Sequence, residues 1–390
     1  MTVHRPIYLD NSATTPVDPR VVEAMLPFFT ETFGNPSSIH LPGREARKAM
    51  EESRAAIAGR INASPKEIVF TGSGTEANNL AVKGTAFALR GRGNHVILSA
   101  IEHDSVHEPC QWLRTQGFEV TCLPVDGHGL VDPADLKRAI GSGTILVSVI
   151  HAHNEIGTVE PIAELGRICR EQEVVFHSDA CQSFGKIPID VDAEAIDLLT
   201  LNAHKIHGPK GVGALYIRAG LRVSPWEHGG GQESGLRAAT QNVAGIVGFA
   251  RAAELCFADF AAQISRLLEL REKIVRFITG RFPEAYLNGH PEQRLPNNVN
   301  VGFAGYEGEA IRLLLELDAR GVAVSTGSAC SANKADGAPS RVLTAIGRNP
   351  FQARGALRIS LSRQNGEEEI DAFLSILTEC RASLKSISTI

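Results

Sequence analysis

Six short apolar runs alternate with helix-spaced stretches between residues 67 and 218, and this alternation limits the fold more than any other feature of the chain. The runs lie at 67–71, 95–99, 119–125, 144–150, 174–178 and 197–201, with a seventh at 211–218. Each is apolar at successive positions, as a strand covered on both faces must be. Between them, residues 76–89, 133–140 and 161–171 carry apolar side chains at helical spacing. Strands that alternate with helices build βα units on a mostly parallel sheet. The run at 211–218 follows 197–201 too closely for a crossover helix, so an antiparallel neighbour is expected there.

After about residue 263 the pattern changes. It predicts a helix over 264–281, a strand over 298–303, a helix over 308–320 and a strand over 322–325. A loop of small and polar residues follows at 327–339, then a strand at 356–362 and a last helix from Glu367. A chain of 390 residues exceeds one ordinary core. Two domains are therefore expected: a large α/β domain over 16–263, and a smaller α+β domain over 264–390 together with 1–15. Within 356–362, Leu357, Ile359 and Leu361 share one face while Arg358 and Ser360 share the other. Arg358 is thus directed away from the small core, toward a cleft.

The formal charge of −5 and a sequence pI near 6.2 give no basic surplus, so no direct nucleic-acid binding is expected. Residues 1–10 lack a signal-peptide pattern, and no apolar run reaches the roughly 18–20 residues of a membrane helix, so no membrane partner is expected. The seven cysteines, Cys110, Cys122, Cys169, Cys181, Cys256, Cys330 and Cys380, are scattered and form no CxxC pair. Reduced thiols in the cytoplasm leave this pattern; disulfide frameworks and structural zinc sites do not.

Residues 202–211, Asn-Ala-His-Lys-Ile-His-Gly-Pro-Lys-Gly, place Lys205 directly after a strand end in a loop of small and rigid residues. Enzymes that use pyridoxal phosphate need a lysine amine for a Schiff base, placed to swing between cofactor and substrate. A surface lysine in a turn fits the same segment, and Lys210 is a rival further from the strand end. Asp179 closes an apolar run that contains no charge. Burying a lone carboxylate is costly, so a cation is expected opposite it. A protonated pyridine nitrogen would serve; a salt bridge or a helix N-cap are the structural alternatives.

At 70–76 the run Phe-Thr-Gly-Ser-Gly-Thr-Glu leads from a strand into a helix beginning near Thr75. Free N–H groups there suit an anion, and Gly72 and Gly74 let it come close. The spacing is neither a Walker nor a dinucleotide motif. Cys330, in Ser-Thr-Gly-Ser-Ala-Cys-Ser at 325–331, has no apolar neighbours to bury it. It is the expected nucleophile, because an open thiol oxidises unless it is used; the other six cysteines are expected to be packing residues. His103 could stack on a flat cofactor or shuttle a proton, or be a structural loop residue. His151 and His153 lack an accompanying ligand set, so no metal is expected.

Taken together, these segments resemble the cysteine desulfurases, the NifS/IscS-like branch of the class V aminotransferase group. The matching runs are Tyr-Leu-Asp-Asn-Ser-Ala-Thr-Thr at 8–15, Phe-Gly-Asn-Pro-Ser-Ser at 33–38, Arg-Glu-Ala-Arg at 44–47 and Asn-Glu-Ile-Gly at 154–157. They continue with Gly-Gly-Gly-Gln-Glu at 229–233 and Gly-Ser-Ala-Cys at 327–330, besides His103, His204-Lys205 and Leu357-Arg358. The resemblance implies the fold-type I architecture of pyridoxal-phosphate enzymes, a mixed, mostly parallel sheet between helices. It implies that Lys205 holds pyridoxal 5'-phosphate and abstracts the Cα proton, that Asp179 pairs with the pyridine nitrogen and that Gln182 bonds the ring oxygen. His103 would stack on the ring and move protons. Gly74, Thr75, Asn202 and His204 would bind the phosphate, joined by Thr240 from the other subunit of a homodimer. Arg358 and Asn154, the latter also against the cofactor, would hold the carboxylate of L-cysteine, with Asn35 nearby. Cys330 would take the sulfur as a persulfide for a sulfur-acceptor protein, releasing L-alanine. The loop after Cys330, with Lys334 and Asp336, is long enough for the mobile-loop branch of the family.

The chain departs from the family pattern at Asn202, usually Ser, at Ala239, usually Gly, at His153, commonly Asn, and at Phe184, where smaller residues are frequent. A selenocysteine lyase and a plain aminotransferase share the cofactor class, but a transaminase would not need Cys330. A degenerate sulfur-transfer scaffold would not need Lys205, Asp179, His103, Cys330 and Arg358 together. The destination of the sulfur, whether iron–sulfur clusters, thiolated tRNA or sulfur-modified DNA, is not readable from these residues.

Overall fold

The computed structural model describes residues 6–327 and 339–387. The described residues form twelve strands: β1 (Ile7–Tyr8), β2 (Ile68–Thr71), β3 (His95–Ser99), β4 (Glu119–Leu123), β5 (Thr144–Ser148), β6 (Val175–Asp179), β7 (Leu198–Asn202), β8 (Gly213–Ile217), β9 (Ala285–Leu287), β10 (Asn298–Phe303), β11 (Val322–Ala323) and β12 (Leu357–Ser360). Seven of them make the central sheet, in the order β2-β8-β7-β6-β5-β3-β4. The pairs from β7 through β4 are parallel, whereas β8 is antiparallel to both β7 and β2. Every strand of this sheet except β8 therefore ends on the same edge.

Successive side chains of one strand serve opposite faces. Ile97, Val147, Phe176 and Leu199 pack toward the helices Leu41–Ala58, Ile162–Glu171 and Val243–Phe257. Val96, Leu98, Leu146, Val175 and Leu198 pack toward the helix Asp104–Thr115 and the helical run at 74–88. Both faces are thus apolar, and the strands read as unbroken apolar runs.

Two helical details differ from the spacing. The run predicted over 76–89 starts at Gly74 and passes through a π turn at Leu80–Gly84. A Cβ on Gly84 would lie 2.6 Å from the Ser224 carbonyl, a tertiary contact that local periodicity does not record. The helix Asp104–Thr115, not among the predicted stretches, runs through Pro109, a residue that normally interrupts helices.

The C-terminal region builds a second core around the antiparallel sheet β12-β10-β9 and the helices Phe260–Arg281 and Glu367–Ile387. The start of the chain belongs to this core. β1 pairs with β11, Leu9 is buried among Ile274, Ile359 and Phe373, and Ser12 N donates to Ser360 Oγ at 2.8 Å. Residues 12–13 are thereby held where the two cores meet. Among the described residues no helix is long and apolar enough to cross a membrane.

Candidate active site

The sheet changes its direction of growth between β3 and β5, and open parallel sheets place ligands outside the C-terminal strand ends at such a switch. A cavity of about 200 Å³ lies along this edge. Gly74 and Thr75 reach it after β2, His103 after β3, Asn154 after β5, Asp179 and Gln182 at the end of β6, and Asn202, His204 and Lys205 at the end of β7. Arg358 of β12, with Ser12 and Ala13, closes it from the C-terminal core.

The amine of Lys205 donates to the main-chain carbonyls of Ser12 and, at 2.7 Å, Ala13. Asp179, only 4 % exposed, accepts from Asn78 Nδ2 at 2.7 Å and from Cys181 N at 2.9 Å. Neither donor is charged, and among the described residues no ion pair reaches this carboxylate. His103 caps the helix Asp104–Thr115, its Nδ1 accepting from Ser105 N at 3.1 Å and lying 2.7 Å from Ser105 Oγ, so the ring is oriented. Burial, reinforced by Lys205, Lys210 and Lys186, pushes His204 down to about 4 and leaves it neutral. Arg358, 1 % exposed, donates to Asp10 Oδ1 and to the Asn154 carbonyl.

Two of the residues singled out above stand elsewhere. Thr240 is exposed and lines a separate hollow of about 70 Å³ with Gly72 and Arg237. Asn35 is exposed and accepts from Ser37 N at 2.9 Å. Cys330, with Lys334 and Asp336, lies outside the described residues. Its described flanks meet the site: the main chains of Ser325 and Arg358 bond each other, and Ser340 Oγ donates to Glu155 Oε2 at 2.7 Å. The candidate histidines lie in the core, with His151 Nε2 3.2 Å from Glu194 Oε2 and His153 Nδ1 accepting from Glu155 N.

The packing role expected of six cysteines fails at two of them. Cys181 lines the cavity, where burial and the Asp179 charge hold its thiol protonated. Cys122 is exposed because β4 is an edge strand, and an apolar edge run need not be covered on both faces. Local reading also missed Ser12 and Ala13, which approach Lys205 only through the tertiary fold, and Arg341. The Arg341 guanidinium donates to the carbonyls of Ala100, at 2.8 Å, and Glu102, bracing the turn that presents His103.

Known proteins resemble this chain in sequence and in fold. A sequence profile of the family "Aminotransferase class-V" matches residues 7–373. The chain is 51% identical to a protein named cysteine desulfurase IscS from Dictyoglomus turgidum over 384 residues, 98% of this chain and 96% of the relative. A cysteine desulfurase IscS from Methanosarcina thermophila is 49% identical over 387 residues, 99% and 95% of the two chains. The solved structure of a NifS-like protein superimposes with a TM-score of 0.90 at 39% identity, covering 97% of this chain and 99% of the other. The chain belongs to the aminotransferase class-V family, in its cysteine desulfurase branch.

A cysteine desulfurase of this family implies pyridoxal phosphate, and the residues of the cavity fit it. Asp179 is a buried carboxylate with neutral donors only, as a partner for a protonated ring nitrogen should be. Ser12 Oγ, Gln182 Oε1 and Asn202 Oδ1 are buried without partners among the described residues and belong to residues that line the same space. A Cβ on Gly74 would lie 2.6 Å from Cys181 Sγ, so the glycine opens a cradle at the start of the helix. The N–H groups of that helical turn then suit a phosphate. In this cysteine desulfurase Asn202 supplies an amide where the family pattern has a hydroxyl, beside Gly74.

Proposed function

We propose that this protein converts L-cysteine to L-alanine and stores the sulfur as a persulfide on Cys330, with pyridoxal phosphate as its cofactor. The observation that carries the reading is the meeting of Lys205, Asp179, His103 and Arg358 at one cavity. Lys205 would hold the cofactor covalently, with Asp179 at its ring nitrogen, Gln182 at its ring oxygen, and Gly74, Thr75, Asn202 and His204 about its phosphate. When bound, the cofactor supplies an electron sink for charge developing at the substrate Cα. Arg358 and Asn154 orient the substrate carboxylate. Lys205 takes the Cα proton, and His103, its ring fixed by Ser105, returns a proton on the other side of the reaction. The Cys330 thiolate attacks the substrate sulfur; the S–S bond forms as the C–S bond breaks. One L-cysteine and one thiol thus become one L-alanine and one persulfide.

The test is an assay of purified protein with L-cysteine and a thiol reductant, scoring alanine and sulfide together. Equal amounts of both are expected. Cys330→Ala should keep the yellow chromophore and lose sulfide release, and preserved release would overturn the assignment.

The reading extends to assembly. A homodimer in which Thr240 completes the partner's phosphate site agrees with the exposure of Thr240, and with the exposed apolar side chains Phe29, Phe33, Ile39 and Leu41. Light scattering should give twice the chain mass; a monomer with full activity would overturn it. The division into a cofactor domain over 16–263, and a domain over 1–15 and 264–390 that carries Cys330, is supported by the separate apolar clusters. A sulfur-acceptor protein and a cytoplasmic setting complete the proposal, since a persulfide needs a recipient and reducing surroundings.

A further inference from the structure

Lys186 is a buried cation that the proposed chemistry does not use. It is 6 % exposed, its Nζ donates to the main-chain carbonyl of Gln182 at 2.7 Å, and among the described residues it has no ion pair. A second, small cavity of about 30 Å³ lies beside it, lined also by Lys205, His207, Cys256, Asn297 and Arg363. Lys205 lines both this cavity and the active-site cavity, so it stands between them. The two lysines are also joined through the chain. The Gln182 amide donates to the Ser12 carbonyl at 2.9 Å, and that same carbonyl accepts from Lys205 Nζ.

We propose that Lys186 is a positioning residue for Lys205: a second cation, away from the reacting atoms, that holds the Gln182–Ser12 strap under the Lys205 amine and favours its neutral, proton-accepting form. The inference rests on the functional reading above, in which Lys205 is the cofactor lysine.

The other groups around Lys186 do not cancel its charge. His207 Nδ1 donates to the Pro16 carbonyl at 2.9 Å, and burial keeps the ring neutral. Arg363 is paired with Asp18 at 2.8 Å. Burial pushes up the thiols of Cys181 and Cys256, so both are neutral, as is His204. On the other side of Lys205, Asp179 and Arg358 line the active-site cavity with opposite charges, and Arg358 is paired with Asp10. The two lysines are like charges in one buried region, where each favours the neutral form of the other. Burial first, and then Lys205, pushes Lys186 down to about 8.

The test compares Lys186→Met with the parent, because methionine keeps the length of the side chain and removes the charge. In cofactor-free protein, acylation of Lys205 by an amine reagent is followed against pH by mass spectrometry of its peptide. The midpoint is expected to rise by about one pH unit, roughly a tenfold loss of reactivity at a fixed pH below it. In holoprotein, the pH titration of the visible absorption band should move in the same direction. A thermal melt confirms that the variant is folded, and an unshifted midpoint in folded Lys186→Met overturns the proposal. Borohydride trapping of the cofactor on a lysine other than Lys205 would instead overturn the functional reading beneath it.

Discussion

Arg358 Nη2 donates to Asp10 Oδ1 at 2.7 Å, which ties β12 to the start of the chain beside the active-site cavity. Its Nη1 donates to the Asn154 carbonyl at 3.3 Å, and its Nε has no partner among the described residues. A substrate carboxylate binding this fork competes with Asp10. Arg358→Lys keeps the charge and loses the planar fork, so KM for L-cysteine should rise about 10- to 100-fold. Asp10→Asn should lower KM. Steady-state kinetics reads both, and an unchanged KM in Arg358→Lys would mean that the carboxylate binds elsewhere.

Ala239 has a φ of 81°, a left-handed conformation, at the position where the family pattern has glycine. A side chain there costs about 1–2 kcal/mol, offset by about 0.4–1 kcal/mol from the stiffer unfolded chain. Ala239→Gly should therefore stabilise the protein by about 0.5–1 kcal/mol, a small upward shift in Tm. A lower Tm would show that the loop before Thr240 carries no strain.

Glu233 ends the glycine-rich run at 229–233 and is buried against Arg54, with contacts of 2.7 and 3.0 Å. It also accepts from Phe70 N at 2.8 Å, pinning this loop to the strand that leads into Gly74. Arg54 keeps Glu51 at 3.2 Å but loses its buried partner, so Glu233→Gln should cost about 1–3 kcal/mol. Chemical denaturation checks this, and a loss below about 1 kcal/mol would show that the loop relaxes around Arg54.

The strand ends that carry Asp179 and Lys205 were legible in the sequence because two-sided burial leaves an unbroken apolar run with a polar stop. The placement of Arg358 followed from strict alternation along β12, where Leu357 and Ile359 enter the core. Ser12, Cys181 and Lys186 were not legible. Ser12 reaches Lys205 from 193 positions away, and Lys186 differs from a solvated lysine only by what the fold packs over it. The exposure of Cys122 was hidden for a related reason: the order of strands in the sheet, not the run itself, decides which strand lies at the edge.

His177 is fully buried on β6, with Nδ1 2.8 Å from Ser148 Oγ and Nε2 3.1 Å from Thr200 Oγ1. Burial pushes it down to about 4, and burial does the same, to about 3 or 4, for His153, His204 and His207. Each group with a depressed value stabilises the fold fully above its ordinary 6.5 and loses that contribution as pH falls toward 4. Glu102 and Glu160 act in the opposite sense. Burial raises both from 4.5 to about 8, so their contribution is complete at acid pH and is lost as pH rises through that interval. Each group contributes a slope of about 1.4 kcal/mol per pH unit inside its window. His95 joins the histidines and Glu155 and Asp197 join the carboxyls, so five histidines still outnumber four carboxyls below pH 6.5; only the carboxyls of this set act just above it, and stability of the cofactor-free protein should peak near pH 6.5. Urea midpoints from pH 5 to 8 would trace the peak. His177→Gln should flatten the acid limb and Glu102→Gln the alkaline limb, while unchanged slopes in both would mean that these side chains take up solvent before they titrate.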